Sequence, residues 1–168
     1  ALDETTTGGE NTAVGKSALS ANTTASSNVA VGAHTLATNT TGASNVAVGY
    51  AALNANTTAS NNTGLGHNAL AANTTGTRNT AVGYAALDAN TTTNDSTALG
   101  YASLSADTGG ANTGLGSYAL NVNSTGASNV AVGYNSLAVN TTGGVNTAVG
   151  TGSMAANTTG GNNTAVGK

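Results

Sequence analysis

Apolar and polar positions recur along this chain with a fixed short period. The motif Asn-Thr-Ala-Val-Gly at Asn11 to Gly15 returns at Asn79, Asn146 and Asn163, and as Asn-Val-Ala-Val-Gly at Asn28, Asn45 and Asn129, with looser copies at Asn62, Ser96 and Asn112. Its closing glycines are Gly15, Gly32, Gly49, Gly66, Gly83, Gly100, Gly116, Gly133, Gly150 and Gly167; neighbours differ by 17, except that 116 − 100 = 16. Such a period over a whole chain predicts a solenoid, in which each repeat is one coil stacked on the last. Counted in slots from the leading Asn, the consensus is Asn-Thr-Ala-Val-Gly-Tyr-Ala-Ala-Leu-x-Ala-Asn-Thr-Thr-Gly-x-x.

The slots predict the elements. Slot two is Thr or Val, slot three only Ala or Gly, and slot four Val or Leu. Period-two alternation with β-branched residues predicts a short strand, its bulky slots two and four inward and its small slot three outward. Glycine at slot five permits a corner with positive φ. Slot nine is the strongest core position: Leu19, Leu36, Leu53, Leu70, Leu87, Leu104, Leu120, Leu137 and Met154. With slot eleven, mostly Ala or Val, it predicts a second short strand with slots nine and eleven inward. Each fully buried Leu or Val contributes about 1.5–3 kcal/mol, which only stacked coils can accumulate against chain entropy.

Slot twelve is Asn22, Asn39, Asn56, Asn73, Asn90, Asn123, Asn140 and Asn157, with Asp107 the exception. Stacked identical amides predict a structural ladder along the rod, and the leading Asn of slot one a second. Thr-Thr-Gly then makes a loop, and slots sixteen and seventeen vary as exposed positions do. A helix is excluded, because the apolar slots do not follow a 3.6-residue period and Gly, Thr and Asn are poor helix formers. The expectation is therefore all-β: one parallel β-solenoid, or β-roll, of about ten coils over residues 1–168. At the usual strand separation it measures on the order of 45–50 Å along its axis. Neither outer coil has a polar cap, which predicts head-to-tail stacking of copies or excision from a longer array.

Composition narrows the core. With 3% aromatic residues and no Phe, Trp, Pro or Cys, only a thin interior of Ala, Val and Leu is available. Low-complexity Asn/Thr/Gly sequence is often disordered, but near-invariant spacing and recurring aliphatics oppose that here. The net charge of −3, with Lys16, Arg78 and Lys168 the only basic residues, argues against nucleic-acid binding. No apolar run approaches a membrane span. Low charge, absent thiols and abundant Asn, Thr and Ser point to an extracellular or cell-surface setting.

Candidate chemistry is sparse. His34 and His67 lie in different coils without a carboxylate cluster, so they read as loop residues rather than metal ligands. Asp3, Glu4, Glu10, Asp88, Asp95 and Asp107 are too scattered for a catalytic pair. No catalytic residue, metal site or cofactor is expected. Tyr50, Tyr84, Tyr101 and Tyr134 share slot six, with Tyr118 one slot on. They shield the glycine corner or form a strip for a glycan or another partner. Asn-x-Ser/Thr sequons occur at the slot-twelve asparagines and at Asn61, Asn94 and Asn162; those facing a ladder should stay unmodified.

Asn-Val-Ala-Val-Gly, with the recurring Ala-Leu and Asn-Thr-Thr-Gly, resembles the head repeats of YadA-like trimeric autotransporter adhesins. The fuller Asn-Thr-Ala-Val-Gly-Tyr-x-Ala-Leu pattern resembles repeats of phage tail-fibre and surface proteins. The resemblance spans the chain and implies a left-handed β-roll, trimerisation and attachment to host surfaces. This coil is longer than the adhesin head repeat by about one short loop. The small residues of slot three, if outward, would suit close packing against another chain. The expected function is a structural or adhesive extracellular rod that forms a homo-oligomer, as fibre or trimer. The alternative is an ice-binding solenoid using Thr23, Thr40, Thr57, Thr74 and Thr91. Its second threonine rank would be slot fourteen, adjacent where alternate positions are expected. A lyase on a β-helix would need charged clefts that this composition barely permits.

Overall fold

The computed structural model describes residues 1–168. It is a β-solenoid. Ten three-residue strands run from β1 (Thr12–Val14) through β5 (Thr80–Val82), β6 (Thr97–Leu99) and β7 (Thr113–Leu115) to β10 (Thr164–Val166), with no helix. Each strand pairs in parallel with its sequence neighbours, giving one sheet in the order β1 to β10. Register follows the repeat, so Val29, Ala30 and Val31 stand opposite Val46, Ala47 and Val48. The shortened repeat keeps this register, with Thr97 opposite Thr113. Of 104 backbone–backbone hydrogen bonds, only 18 lie within the strands. Axial bonding therefore runs around most of the coil, and the sheet is one side of it.

The strands face the opposite way from the alternation rule. Slot three points inward: Ala30, Ala47, Ala81, Ala98, Ala131 and Ala148 are fully buried. Slots two and four point outward, with Val14 58% and Leu99 53% exposed. The reason is the width of the rod. The slot-nine leucines fill the interior from the facing wall and leave room for little more than a methyl group. A Cβ added at Gly64 would already lie 3.4 Å from Leu53 Cγ. At Gly114 a Cβ would meet the Ser103 hydroxyl at 2.5 Å. The inward position of the small residues also withdraws the packing argument for trimerisation that an outward row had offered.

The expected second strand is not one. Slots seven to eleven form turns in which slots seven and nine adopt left-handed backbone, for example His34 (φ 60°), Leu36 (φ 46°), Ala51 (φ 54°) and Leu53 (φ 51°). Left-handed backbone costs an L-residue roughly 1–2 kcal/mol. Here it is compensated by burial and by axial bonds. Leu53 N–H donates to the Ala69 carbonyl at 3.0 Å and Leu70 N–H to Ala86 at 3.0 Å. Slot eleven faces outward, with Val122 and Val139 exposed. Slot eight, Ala, Ser or Thr, is buried in its place.

The leucine file is as expected: Leu19, Leu36, Leu53, Leu70, Leu87, Leu104, Leu120 and Leu137 are each 0% exposed in one apolar cluster. Met154 packs against that cluster but is only partly buried. Slot-five glycines have φ between 126° and 137°, and a Cβ on Gly83 would lie 2.4 Å from the Gly100 carbonyl oxygen. The coils stack so closely at this corner that only glycine fits.

Candidate functional site

Two side-chain arrays run the length of the rod, one inside and one outside. Inside, the slot-twelve amides form the expected ladder. Asn56 Nδ2 donates to Asn39 Oδ1 at 2.8 Å, Asn73 to Asn56 at 2.9 Å, Asn90 to Asn73 at 3.1 Å, and Asn140 to Asn123 at 2.7 Å. The ladder extends from Asn22, the acceptor of Asn39, to Asn157, the donor to Asn140, and is broken once, between Asn90 and Asp107. Slot one forms the second ladder in a different manner. Each of its Oδ1 atoms accepts the backbone N–H of the next repeat's leading residue, as Asn45 does from Asn62 at 2.9 Å.

The two ladders meet at a third position that the sequence reading did not single out. In every repeat but one the slot-one and slot-twelve amides both donate to the carbonyl of slot fifteen. Asn45 and Asn56 converge on the Ala59 oxygen at 2.8 and 3.0 Å, and Asn62 and Asn73 on Gly76 at 2.8 and 3.0 Å. The pair clasps the polar end of the coil shut. The clasp explains why slots one and twelve hold Asn: only an amide donates to the slot-fifteen carbonyl and accepts from the next coil with one short side chain. Slot fifteen is Gly or Ala except at Thr93; at Gly76 itself a Cβ would lie 2.6 Å from Asn73 Oδ1.

One repeat lacks the clasp. There slot one is Ser96 and slot twelve is Asp107, and neither donates to the Gly109 carbonyl. Asp107 Oδ1 instead accepts from Gly109 N–H at 3.2 Å, Asn112 Nδ2 at 2.9 Å and Asn123 Nδ2 at 2.5 Å. Its Oδ2 is buried with no partner. Burial outweighs the opposing effect of Asn123, Asn112 and the Gly109 and Gly110 N–H groups and raises the carboxyl above the usual aspartate range. On the preceding coil Asn90 Oδ1 accepts from the backbone N–H and hydroxyl of Thr93, the one hydroxyl residue at slot fifteen. The sequence carries a signal for this: the repeat with both exceptions is the one that is a residue short.

Outside, the aromatic array is longer than the four tyrosines predicted. His34, Tyr50, His67, Tyr84, Tyr101, Tyr118 and Tyr134 follow one another at centroid separations of 5.1 to 6.2 Å. Between Tyr50 and Tyr101 the rings are nearly parallel, with Tyr84 and Tyr101 8° apart. Tyr118 joins despite its one-slot offset. The two histidines belong to this row rather than to isolated loops. His67 and Tyr84 each have a stacked ring on either side. A sugar meeting mid-row finds no free ring face, the surface that aromatic stacking requires.

Elsewhere chemistry is thin. No three His, Cys, Asp or Glu side chains converge, and the surface has no pocket. Arg78 holds Asp95 of the next repeat through two bonds of 2.6 and 2.9 Å on the exposed loop, which lowers the Asp95 carboxyl and raises the guanidinium. The slot-twelve sequons are buried in the ladder except at Asn157, whereas Asn61, Asn94 and Asn162 are exposed. No helix is long and apolar enough to cross a membrane. Comparison with protein-family models, with curated proteins and with solved structures returned no match for this chain.

Proposed function

We propose that this chain is a structural or adhesive rod of the cell surface or extracellular space that assembles with copies of itself, as a fibre or a trimer. The observation that carries this reading is the outer face of the sheet. Slots two and four put two ranks of Val, Leu and Thr on ten aligned strands, and neither rank holds a charged residue. Strand spacing and rise give this face a footprint of roughly 450 Å², within the range of about 300–600 Å² for a monomer's largest exposed patch, which is often functional. The surface offers extended faces rather than a pocket, which suits multivalent contact.

Sedimentation velocity and electron microscopy test it. The chain should form species larger than one rod, and a Val48→Glu/Leu99→Glu variant should return single rods with an unchanged melting curve. Single rods of the unaltered chain at high concentration, or assembly indifferent to the two charges, would oppose the proposal.

One observation favours ice binding as a second reading. Slots two and four are alternate outward positions of one sheet, the spacing that slots thirteen and fourteen lack, with Thr or Val in slot two and Val or Leu in slot four. Slot two is Thr at Thr12, Thr63, Thr80, Thr97, Thr113, Thr147 and Thr164. Except at Thr91 and Thr158, the slot-thirteen hydroxyls are already engaged, as in Thr40 to the Thr57 carbonyl at 3.1 Å. A thermal-hysteresis measurement separates the readings: hysteresis abolished by Thr80→Glu/Thr97→Glu supports this one, and none from the unaltered rod removes it.

A further inference from the structure

The shortened repeat interrupts several axial rungs at one level. In the preceding and following coils the slot-thirteen N–H donates to the next slot-thirteen carbonyl: Thr57 to Thr74 at 3.1 Å, Thr74 to Thr91 at 2.8 Å, Thr108 to Ser124 at 2.8 Å and Ser124 to Thr141 at 2.9 Å. The threonine or serine hydroxyls follow the same track. Between Thr91 and Thr108 both rungs are missing. The amide rung is missing there too, because Asp107 does not donate to Asn90, and the clasp on Gly109 is absent. The strand side of the same coil is intact. β6 keeps full register with β5 and β7, and Leu104 is fully buried, its N–H bonded to the Ala119 carbonyl at 2.9 Å.

We propose that the repeat from Ser96 to Ala111 is a joint in the rod, hinged along its strands, whose polar corner is closed when Asp107 is protonated and released when it ionises. The corner offers the carboxylate amide and backbone donors on Oδ1 but no cation. Asn90 and Thr93 face it from the coil before and Asn123 from the coil after, with Asn112 across the coil; all are uncharged. The charged side chains of neighbouring coils, Asp88, Asp95 and Arg78, make no bond to it, and Arg78 and Asp95 bond each other. A buried carboxylate with one unpartnered oxygen disfavours the closed form. Opening the corner hydrates that oxygen without disturbing the leucine file. The raised carboxyl agrees with this. Closure is fully stabilised below the ordinary aspartate range and is lost as pH rises through the raised value, beyond which it levels off.

Amide hydrogen exchange of the whole chain, compared with an Asp107→Asn variant at each pH, tests the joint. The reporters are the N–H groups of Ala89 and Ala111, which cross the weak level to Ser105 and Asn94. The matched controls are Ala55 and Asn61, bonded to Ala71 and Ala43 in an uninterrupted coil. Taking the ratio at equal pH cancels the intrinsic chemistry and the partly buried Asp88, which both forms share. The expected result is a reporter ratio rising about tenfold per pH unit between the ordinary and raised aspartate values, with the control ratio near one. A reporter ratio independent of pH, or reporters of the unaltered chain at pH 8 as protected as their controls, would overturn the proposal.

Discussion

The leucine file and the asparagine ladder both place one side chain per coil in the interior, yet they tolerate change very differently. Leucine stabilises by area, and area is not directional. Methionine stands at the end of the file as Met154 and still packs against the cluster. Asparagine stabilises by two donated bonds and one accepted bond, each with a fixed partner. Its one substitution in the ladder, Asp107, keeps the acceptor, loses the donor and leaves an oxygen buried without a partner. The apolar half of this rod is therefore graded in its response, and the polar half is close to all-or-none.

That contrast is sharpest for a charge. Asn56→Asp removes the bonds to Asn39 Oδ1 and the Ala59 carbonyl and buries a carboxylate beside both. A loss of about 3–5 kcal/mol is expected at neutral pH. The cost should shrink in acid as the new carboxyl takes up its proton, so urea denaturation at pH 4 and pH 7.5 checks both size and sign. Asn73→Ala orphans the Asn56 Oδ1 and one Asn90 N–H without adding charge, and leaves the Gly76 carbonyl to Asn62 alone. At about 1–3 kcal/mol for each unsatisfied group, it should cost roughly 4 kcal/mol with little pH dependence. Leu70→Ala, in the same coil, should cost about 3 kcal/mol, within the range for buried leucine truncation. If the apolar change proves much the costlier of these two, the ranking of the two halves is reversed. Smallest should be Tyr84→Ala, which removes stacking on His67 and Tyr101 and should cost about 1 kcal/mol by thermal melting.

Legibility followed the same division. The leucine file and both amide ladders were readable because a residue repeated at one slot in successive coils must stack on itself. Leu53, Leu70 and Leu87, and Asn39, Asn56 and Asn73, reveal their own neighbours. The strand facing was not readable. Thr-Ala-Val alternates equally well in either orientation, and the usual preference for burying the bulkier rank fails where leucine from the opposite wall already fills the space. The slot-fifteen carbonyl was hidden because a backbone acceptor leaves no mark on residue identity beyond smallness. Tyr118 and the two histidines joined the aromatic row through geometry that their slots and residue types did not suggest.

Sequence alone determined the period, the parallel in-register stacking, the glycine corners and the interior files, because each is enforced by one coil lying on another of like composition. Tertiary structure alone decided which face of each strand meets the leucines, that slots seven and nine take left-handed backbone, and that Ser96 and Asp107 leave one coil without its clasp. Those features depend on what stands across a rod only a few side chains wide, and that opposing wall is set by residues half a coil away.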